Sequence, residues 1–423
     1  LSSDGDRISR GRADEQDVDM TFPEAFLWGA STAPHQIEGN NVLSDFWANE
    51  GRMPGMERSG DACDSYHRYR EDMRLMADAG LNAYRFGIEW ARIEPIPGLV
   101  SNAELAHYRR MIEAAREFGL TPVVTLHHFT NPKWFIDEGG WLGERAIERF
   151  TSYIETATTI LDGVDWVVTM NEPNMLAMMT GMAQQMKRAE EAGTWQSPTV
   201  ETPQGESTGR RPLPAPDLEI GRRFVEAHHA VRDIVRERTG AKVGWSVANR
   251  AHEARPGAEE KKRELDFVWE DLYLEGARGD DFVGVQSYSA IWVNEDGIEP
   301  YPPHPDNTLV GTAYRPDAVG IAVRHTAEVT GGVPILITEN GIATKDDERR
   351  IAYTTGALEA LESAVGDGID IRGYLHWTLL DNYEWGHWDP TFGLVEVDRE
   401  TFVRTPKPSL GWLGAVARRN GLA

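Results

Sequence analysis

The sequence predicts an α/β protein organised around a parallel sheet that is buried on both faces. Three observations predict it. Short apolar runs rich in Val, Ile, Phe and Tyr recur along the chain, longer amphipathic stretches separate them, and about eight such units can be counted. Most of the runs are too continuously apolar for a sheet with one wet face. Such strands alternating with helices imply either a closed barrel or a doubly wound open sheet, and the pattern leaves both open.

In chain order the candidate strands are residues 25–31, 82–88, 121–128, 166–171, 242–247, 282–287, 334–338 and 372–378. The stretches between them carry helical patterns. Residues 65–79 place Met73, Leu75, Met76 and Ala79 among charged residues, with Gly80 as the stop signal. Each helix returns the chain to the next parallel strand. Two stretches break the repeat. Residues 197–216 are crowded with Pro, Gly, Ser and Thr, and residues 294–316 contain Tyr301, Pro302, Pro303, His304 and Pro305. They follow the fourth and sixth strands, so in a barrel both sit on one rim, where long loops shape a binding cleft.

At 423 residues the chain is long enough for two or three typical domains, but α/β barrels commonly exceed that size as one unit, so length does not decide. Lys and Arg total 43 against 68 Asp and Glu, a net charge of -25 that repels phosphate backbones and anionic lipid. Neither nucleic acid nor membrane is expected as a partner. The acidic balance is a solubility device and leaves a neutral substrate open. Cys63 is the only cysteine, so no intramolecular disulfide and no thiolate metal cluster can form, which fits a reducing, cytoplasmic setting. Residues 1–19 are polar and charged, with no apolar run of a signal peptide or membrane span. They are expected to be a disordered leader or expression remnant ahead of one catalytic domain, residues 20–423.

In a barrel the strand ends converge on one face whatever their separation in sequence. Gln36 and Glu38 come shortly after the first candidate strand, Arg85 lies within the second and His128 ends the third. Asn171 and Glu172 end the fourth, Tyr288 the sixth, Glu339 and Asn340 the seventh, and Trp377 lies on the eighth; the fifth contributes little. Glu172 and Glu339 would then face each other across the axis. Glycosidic cleavage needs that pair: a proton for the departing oxygen, and a negative group where oxocarbenium charge develops. Two close carboxylates resist joint ionisation, so one stays neutral. Arg85 and Tyr288 are placed to keep Glu339 ionised, making it the nucleophile and Glu172 the acid and later base. Gln36, His128, Asn171 and Glu384 offer polar forks for sugar hydroxyls, and Trp377 and Trp385 flat faces for the ring.

At these residues the sequence resembles the family 1 glycoside hydrolases, the β-glucosidase and β-galactosidase family, over residues 22 to 413. The motifs are Phe26-Leu27-Trp28-Gly29-Ala30-Ser31-Thr32-Ala33-Pro34-His35-Gln36-Ile37-Glu38-Gly39, Thr169-Met170-Asn171-Glu172-Pro173, Ile337-Thr338-Glu339-Asn340-Gly341 and Trp377-Thr378-Leu379-Leu380-Asp381-Asn382-Tyr383-Glu384-Trp385. The resemblance implies a single (β/α)8 TIM barrel with long βα loops at the active-site rim, retention of anomeric configuration and no cofactor. It implies that Gln36, His128, Asn171, Glu384 and Trp385 bind the non-reducing sugar, that Trp377 floors it, and that Trp134 is an aglycone-side aromatic. Relatives acting on 6-phosphosugars carry a small residue at the position of Glu384, then a Lys and a Tyr. A carboxylate there repels phosphate, so an unphosphorylated β-glucoside, galactoside or fucoside is expected. The segment Gln286-Ser287-Tyr288 departs from the family's usual Asn-Tyr-Tyr, and Gly87 stands where Ser is common.

Other signals carry no chemistry. His228 and His229 point in different directions from adjacent helix positions and lack metal-site spacing, so they are packing residues and no metal is expected. Residues 259–264 mix charges as a solvated helix face. The leading expectation is a retaining exo-β-glycosidase acting on a small-molecule or oligosaccharide β-glycoside. An endo-acting barrel glycanase would need an open groove, and a non-catalytic carbohydrate-binding barrel should have lost one of the two carboxylates. Homo-oligomerisation is left open.

Overall fold

A computed structural model of the chain describes residues 22–52, 55–193 and 210–422. The leader expected at residues 1–19 and residues 197–209 of the first long loop lie outside them. Eight parallel strands close into a barrel: β1 (Leu27–Ser31), β2 (Ala83–Gly87), β3 (Thr121–Thr125), β4 (Trp166–Asn171), β5 (Lys242–Ala248), β6 (Val283–Gln286), β7 (Ile335–Asn340) and β8 (Ile371–Trp377). Each pairs with its neighbours in sequence, and β8 pairs with β1 through Leu27 opposite Gly373 and Ser31 opposite Trp377. The closed ring decides between the two architectures that the apolar pattern left open.

The strands are buried on both faces because each packs inward and outward. Inside, Leu27, Ala83, Val123, Val168, Phe282, Leu336 and Leu375 fill the barrel. Outside, a far larger apolar shell lies between strands and helices. Gly29 and Gly244 allow neighbouring strands to close, since a Cβ on them would meet Ala83 O at 2.1 Å and Phe282 O at 1.9 Å.

The helices show the same logic. In Leu218–Thr239 the buried residues Ile220, Phe224, Ala227, His228, Val231 and Val235 form one stripe at helical spacing. Asp217 caps its start by accepting from the Glu219 and Ile220 amides, and Gly240 ends it at φ 71°. His228 bonds Thr169 Oγ1 at 2.8 Å and Asp280 Oδ2 at 2.9 Å and stacks on Trp245, while His229 bonds Gly276 O. Both histidines are therefore packing residues. No helix among the described residues is long and apolar enough to cross a membrane.

The rim is more ordered than its Pro- and Gly-rich sequence implies. His252–Ala254, Ile291–Asn294 and Gly297–Ile298 form a three-stranded sheet, and Arg210 bridges Tyr301 through paired backbone hydrogen bonds. The stretch 294–316 thus starts as a hairpin that pairs with the segment following β5.

Leu336 is fully buried in the barrel interior. Leu336→Ala should cost about 2–5 kcal/mol by leaving a cavity that the rigid ring cannot close, read as a lower urea midpoint.

Candidate active site

A cavity of about 930 Å³ opens at the C-terminal ends of the strands. His128, Asn171, Glu172, Tyr288, Glu339, Trp377, Glu384 and Trp385 all line it. Arg85 and Gln36 lie directly beneath, fully buried.

Glu339 sits near the end of β7 and is held from two sides. Arg85 Nη1 donates to its Oε1 at 2.6 Å, and the Tyr288 hydroxyl donates to its Oε2 at 2.6 Å. Burial raises this carboxyl above its usual range, while the Arg85 charge, then Tyr288 and Gln286, oppose the rise. Glu172 has no such support. Its side chain makes no hydrogen bond among the described residues, and burial followed by the Glu339 charge pushes it up to about 8. The donors thus favour the charged form on Glu339 and leave the protonated form favoured on Glu172. The backbone presents Glu172 at φ 44° and ψ 62°, immediately before helix Pro173–Glu191, and its amide donates to Ser246 O at 2.7 Å.

Asn171 is locked between the two halves of the site. Its Oδ1 accepts from Arg85 Nη2 at 2.5 Å and Gln286 Nε2 at 2.8 Å, and its amide approaches His128 Nε2 at 3.2 Å. His128 is neutral, its pKa held well below the imidazole range by burial and then by Arg85. Its ring lies between the indoles of Trp377 and Trp385, at 6.0 and 6.1 Å. Gln36 donates through Nε2 to Asn382, Tyr383 O and Glu384, which leaves its buried Oε1 without a partner. Glu384 also accepts from Trp377 Nε1 at 3.3 Å, and burial pushes it up to about 8 despite those donors. This corner combines unfilled acceptors with a flat indole, the chemistry that takes the hydroxyls and C–H face of one sugar ring.

Residues 18–187 and 252–422 match the model of glycosyl hydrolase family 1. The chain belongs to that family. It is similar to thermostable β-glucosidase B of Thermobispora bispora, 32% identical over 98% of this chain and 95% of that one. It is also similar to the bifunctional β-D-glucosidase/β-D-fucosidase of Bifidobacterium breve, 28% identical over 93% of this chain and 97% of that one. Among solved structures it resembles β-glycosidase BGL167, with a TM-score of 0.83 and 41% identity over 95% of this chain and 98% of that one. This family 1 member is accordingly a glycoside hydrolase built on a single barrel.

Three expectations are corrected. Trp134 does not line the cavity: its indole donates to Glu94 O at 2.7 Å, meets Trp90 edge-on and lies under Arg149. Phe129, from the same β3 loop, lines the cavity instead. Glu38 faces away, bonded to Arg92 at 2.9 Å and Tyr108 at 3.0 Å, as a buried ion pair that orients the β1 loop. The end of β5, expected to contribute little, places Asn249 and Arg250 on the cavity wall. An Asn-Arg pair directly after an apolar strand was the available signal.

If Glu339 supplies the charge that keeps Glu172 protonated, Glu339→Gln should move the Glu172 titration to lower pH. Carboxyl 13C NMR on the two proteins checks the direction; an unmoved titration contradicts the coupling.

Proposed function

We propose that this family 1 hydrolase is a retaining exo-β-glycosidase for unphosphorylated terminal β-glucosyl residues, with fucosides and galactosides as further substrates. Glu339 acts as nucleophile and Glu172 as acid and then base. One observation carries the assignment: Glu339 has two donors at 2.6 Å, whereas Glu172 has none and its carboxyl is pushed up to about 8 by burial and the Glu339 charge. The similarity to β-glucosidases and to a glucosidase/fucosidase supports the substrate class.

In the first step Glu339 attacks the anomeric carbon as the bond to the aglycone oxygen breaks, and Glu172 gives that oxygen its proton. The product is a glycosyl ester on Glu339 and a free alcohol. Esterification removes the charge from Glu339, so the repulsion that held Glu172 protonated disappears. Glu172, now a carboxylate, takes a proton from water as that water attacks the anomeric carbon, and Glu339 leaves with its charge restored. Tyr288 and Arg85 hold the departing carboxylate. Asn171, fixed by Arg85 and Gln286, is placed to bind the hydroxyl beside the anomeric carbon. Gln36 and Glu384 take the far hydroxyls over the Trp377 floor. Our reading of a reducing, cytoplasmic setting rests on Cys63 being the chain's single cysteine and unpaired.

Glu339→Gly should abolish turnover of 4-nitrophenyl β-D-glucoside, with azide restoring it and giving the α-glycosyl azide; full activity in that variant would end the assignment. Glu172→Ala should lose about 10²–10⁴-fold on substrates with poor leaving groups and less on activated ones. Its kcat/KM should also lose the alkaline limb that the wild type shows as Glu172 deprotonates.

A further inference from the structure

Outside the sugar corner the cavity carries a pair of cations that the reaction above does not use. Arg250 follows β5, Arg210 is paired through its backbone with Tyr301, and all three line the cavity that holds Glu172. Neither guanidinium makes an ion pair or donates a hydrogen bond to a protein acceptor among the described residues. The Nε of Arg250 is buried without a partner, and the group rests on the Trp269 ring at 4.6 Å. An aromatic face attracts the cation but leaves its in-plane N–H groups unsatisfied.

The carboxylates nearby are otherwise engaged. Glu270 accepts from Asn249 Nδ2 and the Arg250 backbone amide, and Glu299 is paired with Arg255 at 2.8 Å. Glu57 and Asp389 lie exposed on the cavity lining, and Arg211 and Lys345 add further exposed cations there. In a chain of net charge -25, the half-buried Arg250 and the more exposed Arg210 on one cavity lining oppose the general balance. Like charges held together in a partly dry site are costly unless something brings the opposite charge. Both residues fall between residues 187 and 252, outside the two stretches that the family model matches.

We infer that Arg210 and Arg250 form an aglycone subsite for an anionic group, so that the preferred substrates are β-glycosides whose aglycone carries a carboxylate or phosphate. Met175, Leu213, Ile298 and Leu309 on the same wall suit an apolar body between that anion and the glycosidic oxygen. The inference rests on the exo-β-glycosidase reading and deepens it. It has a consequence for the acid as well. Arg250 lowers the pKa of Glu172, working against proton retention, and an anion bound to Arg250 screens that effect.

The test compares 4-carboxyphenyl and 4-phosphonophenyl β-D-glucosides with the methyl ester of the former, in the full-length protein and in its Arg250→Gln and Arg210→Gln variants. The quantity read is the ratio of kcat/KM for the charged over the neutral substrate within each protein, which cancels any general loss from the substitution. Wild type should favour at least one anion about tenfold or more, less so as salt is added, and each variant should lose most of that preference. The larger ratio identifies the anion. Hydrolysis of the neutral ester with no preference for either anion overturns the subsite while leaving the glycosidase reading intact, and so does a preference that survives both substitutions. Failure to hydrolyse any of the three overturns the glycosidase reading itself.

Discussion

A guanidinium with no access to water must find an acceptor for each of its faces, and the centre of this molecule is organised around meeting that demand for Arg85. Its Nε donates to Thr125 on β3, Nη1 to Glu339 on β7, and Nη2 to Asn171 on β4. The side chain projects from β2, so one cation links four strands of the ring. Removing a partner would leave a buried charge uncompensated, at a cost of about 3–5 kcal/mol. The positions of the nucleophile and of the residue beside the acid are therefore set by the same ionic requirement that stabilises the barrel mouth. Catalytic geometry and local stability are here one constraint.

The two carboxyls differ in their donors: Glu339 is buried with two, and the partly exposed Glu172 has none. Both are desolvated and the Glu339 charge raises Glu172, yet only Glu339 receives hydrogen bonds that favour the charged form. Gln286 contributes to that asymmetry. It stands where the family more often has Asn, and the extra methylene lets its Nε2 reach Asn171 Oδ1 at 2.8 Å while its buried Oε1 keeps no protein partner. The substitution thus adds a second clamp on Asn171 and leaves an acceptor beside the reacting centre.

Much of this was legible in the sequence. Strands buried on both faces must be apolar throughout, so all eight stood out, and the convergence of barrel strand ends brought Glu172, Glu339, Arg85 and Tyr288 together before any coordinates were known. What the sequence hid depends on side-chain direction. Trp134 sits in the short helix Lys133–Asp137 beyond the end of β3, and nothing in its neighbours says that its indole turns to Glu94 O and the Arg149 guanidinium. Glu38 belongs to a motif of site residues but is claimed by Arg92 and Tyr108, which lie 54 and 70 residues away. Arg250 follows an apolar strand like any loop cation, and only its lack of a carboxylate partner in three dimensions marks it out. Closing the ring was decided by strand register, which apolar periodicity does not encode.

Three of the ten non-glycine residues with positive φ among the described residues belong to the site. Phe129, Glu172 and Trp385 line the cavity with φ of 66°, 44° and 47°, a region that costs a residue with a side chain about 1–3 kcal/mol. Glycine would remove that cost at each position and with it the group that the site uses. Each of the three lies just beyond a strand or on a loop anchored to one: Glu172 between β4 and a helix of nineteen residues, Trp385 stacked on His35 at 5.8 Å, Phe129 after the β3 end. The barrel beneath has an interior filled with branched and aromatic side chains and no free edge, so it can hold these turns in conformations that an isolated loop would abandon. A closed ring is thus more than a scaffold for converging residues. It supplies the rigidity that lets a carboxyl be presented without hydrogen-bond support, and that unsupported carboxyl is the one able to keep its proton until the glycosidic oxygen arrives.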